Sequence, residues 1–468
     1  MKKIGLLIPL FALSLCLAGC SRQEEDAIVL RVANWEEYID LGGWEEEETI
    51  DLESCEILGE NSMIEDFEAW YEETYGKAIK VEYSTFGTCE ELYNQLTIGD
   101  TYDLACPSEY MIMKMQREGL LVPYSESFYD TEIEENYYAR NVSPFIKNRL
   151  DYLQISGEPL SRYGACYMWG TLGFVYNPEE VDEEAVSHWN LLTDPDYRKR
   201  VTIKDSVRDT YFAALGAVYY EECMQEELRG SSDYLDRLSE ILNRTDEATV
   251  DKVEDFLSEA KENVYSFETD SGKADMVTGK VLANLQWSGD AVYTMDQAEE
   301  DDLELCYSAP EESTNLWFDG WIMFRKGVGD DPERKQAAEA FVNFLSRPDN
   351  AIRNMYYIGY TSSISGGDSG LIYEYLDWNY GAEEDEEETV PYPLGYFFAY
   401  GEEGADEDYV IETTPDQTRR QLFAQYPPEE IIDRAVVMRC FEDEDNDRIN
   451  RMWINVRCFD LGKLFGKS

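Results

Sequence analysis

One histidine, His188, stands in a chain of 468 residues, and that scarcity excludes much chemistry before any motif is sought. A multi-histidine metal site has too few ligands. A histidine-dependent catalytic triad has a single candidate, beside Trp189 in a segment that reads as a surface turn. There is no GxGxxG and no P-loop, so a phosphate-cradling loop is not signalled. Bases are also few: 39 Lys and Arg against 99 Asp and Glu leave a net charge of −60. Phosphate binding needs a basic surface, so nucleic acid is excluded as a partner. A cationic ligand is favoured by the same field, although most of this acidity reads as solvated surface. The ten cysteines form no CxxC and no clustered spacing, which argues against a zinc site and a dense disulfide framework. Eight lie beyond residue 20, and one or two bridges or buried free thiols are equally open. Carboxylate pairs are so abundant that they say little, so a glycoside-cleaving enzyme stays as the enzymatic rival.

Long apolar runs are missing as well, except at the start. Met1-Lys2-Lys3 is basic, Ile4 to Leu17 is apolar, and Leu17-Ala18-Gly19-Cys20 follows. These are the parts of a secretory signal. The end resembles the bacterial lipobox, which implies cleavage before Cys20 and lipidation of its sulfur. Residues 1–19 are therefore expected to be a lipoprotein signal peptide and residues 20–26 a polar tether. The rest is expected outside the cytoplasm, anchored by lipid to a bacterial cell membrane in the periplasmic space or at the surface. The chain is longer than one typical domain and fits two lobes of roughly 200 residues. Its 43% hydrophobic content is enough to build cores despite the charge.

Strands and helices alternate along the chain. Ser62-Met63-Ile64-Glu65 reads as a capping box opening a helix with Phe67, Trp70 and Tyr71, closed by Gly76. Ile79, Val81 and Tyr83 alternate as a strand, and Thr88-Cys89-Glu90-Glu91 reads as a second capping box. Tyr102 to Cys106 predicts a strand, and Pro107-Ser108 turns into a helix stopped at Gly119. Asp331-Pro332 starts a helix that ends before Pro348. This rhythm predicts parallel sheets flanked by helices, an α/β fold. Leu41 to Glu60 and Asp377 to Pro428 read as acidic insertions. The second carries an aromatic patch, Tyr392 to Tyr400, better suited to core packing than to a partner.

After the apolar run Ile28-Val29-Leu30-Arg31-Val32 comes Asn34-Trp35-Glu36-Glu37-Tyr38. Open α/β sheets bind ligands at the carboxyl ends of strands. Aromatic faces beside carboxylates suit an organic cation, through charge and cation–π attraction. Further blocks follow: Tyr102 to Tyr110 with Lys114-Met115 and Glu118-Gly119; Tyr167-Met168-Trp169-Gly170-Thr171; Asp205-Ser206-Val207-Arg208-Asp209-Thr210; Gln286-Trp287-Ser288-Gly289; Trp317-Phe318-Asp319-Gly320; and Phe344 to Pro348 leading to Ile358-Gly359-Tyr360-Thr361. In this order, over residues 29–364, the chain resembles the spermidine/putrescine-binding protein family, the extracellular solute receptors of polyamine ABC transporters.

The resemblance implies a two-lobed, type II periplasmic-binding-protein-like fold with ligand in the interlobe cleft. Residues 27–166 plus 318–363 would form lobe 1, and 167–317 plus 364–468 lobe 2, with an insertion at about 377–428. The crossing strands would pass near Cys166–Gly170 and Thr314–Asp319. Trp35, Glu37, Tyr38, Ser108 and Tyr110 would meet a polyamine from one side. Trp287, Trp317 and Tyr360 would complete an aromatic box, and Asp319 and Asp209 would pair its amines. Asp205 substitutes for a family acid that aligns with Ser206, and a family glutamine near Arg439 or Cys440 has no equivalent. The implied protein is a monomeric receptor, not an enzyme. It has no cofactor and no metal, and it serves ABC permease subunits. The rivals are a same-fold receptor for another organic cation or for ferric ion, for which Tyr356-Tyr357 offers paired tyrosines, and a surface sensor or adhesin.

Overall fold

The computed structural model describes residues 27–458, except 384, 385 and 387. The expected signal peptide, tether and lipidated Cys20 lie outside the described residues. No described helix is long and apolar enough to cross a membrane.

A continuous mixed sheet organises the chain. Its path runs Ser266–Glu268, Val201–Lys204, Ala283–Trp287, Gly164–Tyr176, Thr314–Phe324, Leu104–Ala105, Ile28–Trp35, Ile79–Phe86. Ile28–Trp35 is parallel to both of its neighbours at one end. Val201–Lys204 is parallel to both of its neighbours at the other. The two halves are joined by the antiparallel pair Gly164–Tyr176 and Thr314–Phe324, whose register shifts between Asp319 and Gly320. Both strands are buried along their whole length, which explains their near-continuous apolar sequence. These are the crossing strands, at the expected positions, and the fold is the two-lobed type II α/β architecture.

Local chemistry set the helices much as the sequence predicts. The helix Met63–Tyr75 carries a full Ser62/Glu65 capping box and ends at Gly76 in the left-handed conformation that glycine tolerates best. Thr88 caps Cys89–Ile98, but its box is only half formed. The Glu91 carboxylate accepts from Gly87 N–H at 2.9 Å instead of reaching back to Thr88. The predicted strand Tyr102–Cys106 is reduced to Leu104–Ala105. Pro332–Leu345 begins and ends as expected.

Two large cores flank the cleft. One is built from Leu30, Phe67, Leu104, Trp169, Trp321 and Phe341, the other from Phe174, Trp189, Phe212, Leu257 and Leu285. The stretch after residue 364 does not divide as expected. Ile372, Tyr380, Tyr392, Phe397, Tyr426 and Ala435 pack in the first core, Ala424 packs with Val175, Met295 and Tyr307 in a smaller cluster of the other half, and Val436 to Val456 join the second core. The physical reason is the crossing strand. Phe397 stacks on Trp169 at 5.7 Å and Tyr396 meets Phe145 edge-on at 5.5 Å, so the aromatic patch seals that strand's outer face. The earlier acidic insertion carries structure of its own. Ile50–Asp51 and Glu56–Ile57 form a small hairpin, and Trp44 donates to Asp40, which Arg353 also holds. All eight described cysteines are free thiols.

Candidate functional site

Four strands end at the middle of the molecule, and each delivers polar or aromatic groups there. After Ile28–Trp35 comes Tyr38, and after Leu104–Ala105 comes Ser108. After Val201–Lys204 comes the first turn of helix Val207–Val218 with Asp209, and Ala283–Trp287 ends on Trp287 itself. From the crossing strand comes Asp319. Convergence of carboxyl ends at a sheet's switch point is the usual place for a ligand.

Asp319 is the hub. Its carboxylate accepts from Tyr38 O–H at 2.8 Å and from Ser108 O–H at 2.7 Å. It is 7% exposed, and burial pushes its carboxyl up to about 6, with the two hydroxyl donors opposing the rise and nearby Asp209 adding to it. Tyr360 packs edge-on against Tyr38 at 5.1 Å and tilted against Trp317 at 5.6 Å, so the ring that donates to the acid continues into a cluster of three. Burial likewise holds the Tyr38 and Tyr360 hydroxyls well above the usual phenol value, which keeps them proton donors.

Across the cleft Asp209 is 8% exposed and accepts from Trp287 Nε1–H at 3.2 Å. Its own N–H reaches Ser206 Oγ, in the first turn of its helix, where negative charge is favoured. Burial raises its carboxyl, while Ser206 and Trp287 as donors and Lys204 and Arg208 as charges pull it back. Among the described residues, neither Asp319 nor Asp209 forms a salt bridge. Two buried carboxylates with neutral donors but no ion pair are costly unless a cation completes them.

Trp317 lies within the same cluster, its indole N–H given to Thr171 O at 3.1 Å. Tyr110 is half-buried beside Arg208, whose guanidinium lies 4.9 Å from the ring centroid, and its hydroxyl is 3.3 Å from Glu90. Trp35 closes its strand and packs on Phe86 at 4.8 Å, so it belongs to the strand rather than to the loop after it. Two predicted residues are not brought in. Glu37 is exposed, at a left-handed turn with φ 53°. Asp205 is bound by Arg457 at 2.7 Å at the surface, because the C-terminal helix Asp443–Cys458 packs alongside. Arg439 takes part through its backbone, its carbonyl accepting from Arg208 and its N–H donating to Asn243 Oδ1. Tyr356 and Tyr357 are 42% and 40% exposed, with Tyr356 leaning on Trp44.

The sequence reading missed two charged residues here, Lys204 and Asp290. The Lys204 ammonium lies 4.3 Å from the Trp287 ring centroid and 3.3 Å from Asp290, which also accepts from Tyr360 O–H at 3.1 Å. Burial pushes Asp290 up, but Lys204 and Lys273 more than offset this and leave its carboxyl below the usual value. The available signal was adjacency: each stands one residue outside a quoted block. Glu109 was also missed. It accepts from Phe318 N–H at 3.1 Å, and burial raises it to about 8, so it is protonated at neutral pH.

Fold and site together define a binding protein of the solute-receptor class. The chain belongs to the bacterial extracellular solute-binding protein family, whose model matches residues 62–366. It is 25% identical over 351 residues to the spermidine/putrescine-binding periplasmic protein of Salmonella typhimurium, covering 75% of this chain and 81% of that one. It is 24% identical over 364 residues to the putrescine-binding periplasmic protein SpuD of Pseudomonas aeruginosa, covering 75% and 82%. Among solved structures it resembles the spermidine/putrescine ABC transporter substrate-binding protein PotD of Streptococcus pneumoniae. The TM-score is 0.57 at 26% identity, over 92% of this chain and 99% of that one.

Proposed function

We propose that this protein is an extracytoplasmic polyamine receptor that captures its ligand by lobe closure and delivers it to an ABC import permease. It consumes nothing and acts as a monomer, held at the membrane by lipid on Cys20. One lobe comprises residues 27–166 with 318–435, and the other 167–317 with the C-terminal stretch from 436, with Gln421 to Ala424 of the first bridging to Asp296, Glu299 and Tyr307 of the second.

One observation carries the reading: Asp319 and Asp209 are buried, hydrogen-bonded and without ion pairs, among Tyr38, Tyr360, Trp317 and Trp287. A polyamine is a string of ammonium groups separated by methylenes. Each carboxylate accepts a charge-assisted hydrogen bond, and the rings take the methylenes. Each ring face adds roughly 0.5–2 kcal/mol of cation–π attraction. Desolvated by closure, these contacts strengthen, and the closed lobes present a new surface to a permease. The names of the relatives agree with this chemistry.

The test is calorimetric titration of the chain from Ser21 with putrescine and spermidine, repeated in high salt to erase loose attraction to the −60 surface. Saturable one-to-one binding that survives salt supports the receptor. Only weak, multi-site heat that salt removes sinks it, and turns attention to other organic cations.

A further inference from the structure

Lysine is almost never fully buried without a partner. Lys204 is 1% exposed, at the carboxyl end of a strand that aims at the site. Its ammonium donates to Thr269 O at 2.9 Å, lies 3.3 Å from Asp290 Oδ2, and sits 4.3 Å from the Trp287 ring centroid. Lys273 takes the other oxygen of Asp290 at 3.2 Å. A cation belonging to the protein therefore already occupies one aromatic face of the site. It also shares, with Lys273, the third buried aspartate, Asp290. Of the three aspartates gathered here, Asp319 and Asp209 have neutral donors alone.

We propose that Lys204 is a specificity-determining residue that limits the ligand to two ammonium groups, one at Asp319 and one at Asp209, and so selects a short linear diamine over a triamine. This rests on the polyamine reading above. A third ammonium extending toward Asp290 would meet the charge of Lys204 across the Trp287 face and would compete with two lysines for one carboxylate. Like charges a few ångströms apart in a low-dielectric cleft repel strongly. Lys204 cannot retreat with its backbone, because its strand is paired on both sides and its carbonyl is held by Thr210 O–H at 2.7 Å. Trp287 is fixed in turn by its bond to Asp209, so the lysine and the ligand's second ammonium position share one indole.

The experiment is calorimetric titration of wild type, Lys204→Met and Lys204→Arg with putrescine, spermidine and spermine in about 1 M salt, where the Debye length is about 3 Å. Wild type is expected to bind putrescine at least as tightly as spermidine. Lys204→Met should move the ratio of the two affinities about tenfold or more toward spermidine. Lys204→Arg, which keeps the charge, should retain the wild-type order. The proposal is overturned if wild-type affinity climbs steadily from putrescine to spermidine to spermine, or if folded Lys204→Met keeps the ratio within about twofold. The wild-type series decides alone should Lys204→Met fail to fold. Absence of binding by any polyamine overturns the receptor reading itself, a result distinct from binding in the wrong order.

Discussion

Lowering the pH should release the ligand, and Asp319 sets where. Its carboxyl titrates at about 6, raised by burial. Alkylammonium groups, like a lysine, stay charged to above about pH 9, so between pH 8 and 5 the ligand does not change. An ammonium pairs with the ionised carboxylate only. Affinity should therefore be flat from pH 8 to about 7 and fall as the pH drops through about 6. At pH 5 roughly one site in ten is ionised, a loss of about tenfold or 1.4 kcal/mol. Asp209 is also raised and can steepen the fall. The unliganded protein should show the opposite tendency in stability. A folded carboxyl raised above its unfolded value keeps its proton longer in the native state. Its contribution is thus largest below about pH 4 and declines as pH rises toward 6. The shift of about two units sets an upper bound of about 3 kcal/mol on that decline. The assay is calorimetric affinity for putrescine at fixed ionic strength across this range, with Asp319→Asn in parallel. The variant should bind weakly and, through this residue, without the acid fall. Wild-type affinity that is the same at pH 8 and pH 5 would refute the argument.

Other substitutions separate the site from its surroundings. Trp287→Ala removes a ring face and the donor to Asp209, and should weaken putrescine binding by at least about 2 kcal/mol while the thermal unfolding transition survives; an unchanged dissociation constant contradicts its role. Asp205→Asn should leave affinity unaltered within about twofold, since Asp205 is engaged by Arg457 outside the cluster; a large loss would return it to the site. Gly289→Ala would drive a Cβ onto the Tyr360 ring. It should cost about 1–3 kcal/mol of stability by denaturant unfolding and reduce affinity together; a neutral result would mean that Tyr360 is free to move.

Much of the fold was legible because it is written locally. Ser62 with Glu65, Gly76, and Asp331 before Pro332 are helix signals a few residues long, and the structure uses each of them. The half-formed box at Thr88 shows the limit, since a glutamate four residues after a glycine amide has a second donor within reach. What failed depends on contacts across the chain. An aromatic patch announces burial, but nothing in Tyr392 to Tyr400 says which core receives it, and Trp169, more than two hundred residues earlier, decides. The same holds at the site. Motif order brought Tyr38, Ser108, Asp319, Tyr360 and Trp317 into one cluster and Asp209 to Trp287. It did not reveal that Asp205 is engaged by a helix 252 positions away, or that Lys204 and Asp290, 86 positions apart, form a buried pair.

The most direct test of the central claim is to titrate putrescine into wild type and Asp319→Asn at neutral pH in about 1 M salt, where surface attraction is screened to about 3 Å. A single saturable site in wild type, lost or weakened at least about a hundredfold in the variant while its unfolding transition remains, is the predicted result. Equal affinity in the two proteins would contradict the claim that a cation completes the buried carboxylate.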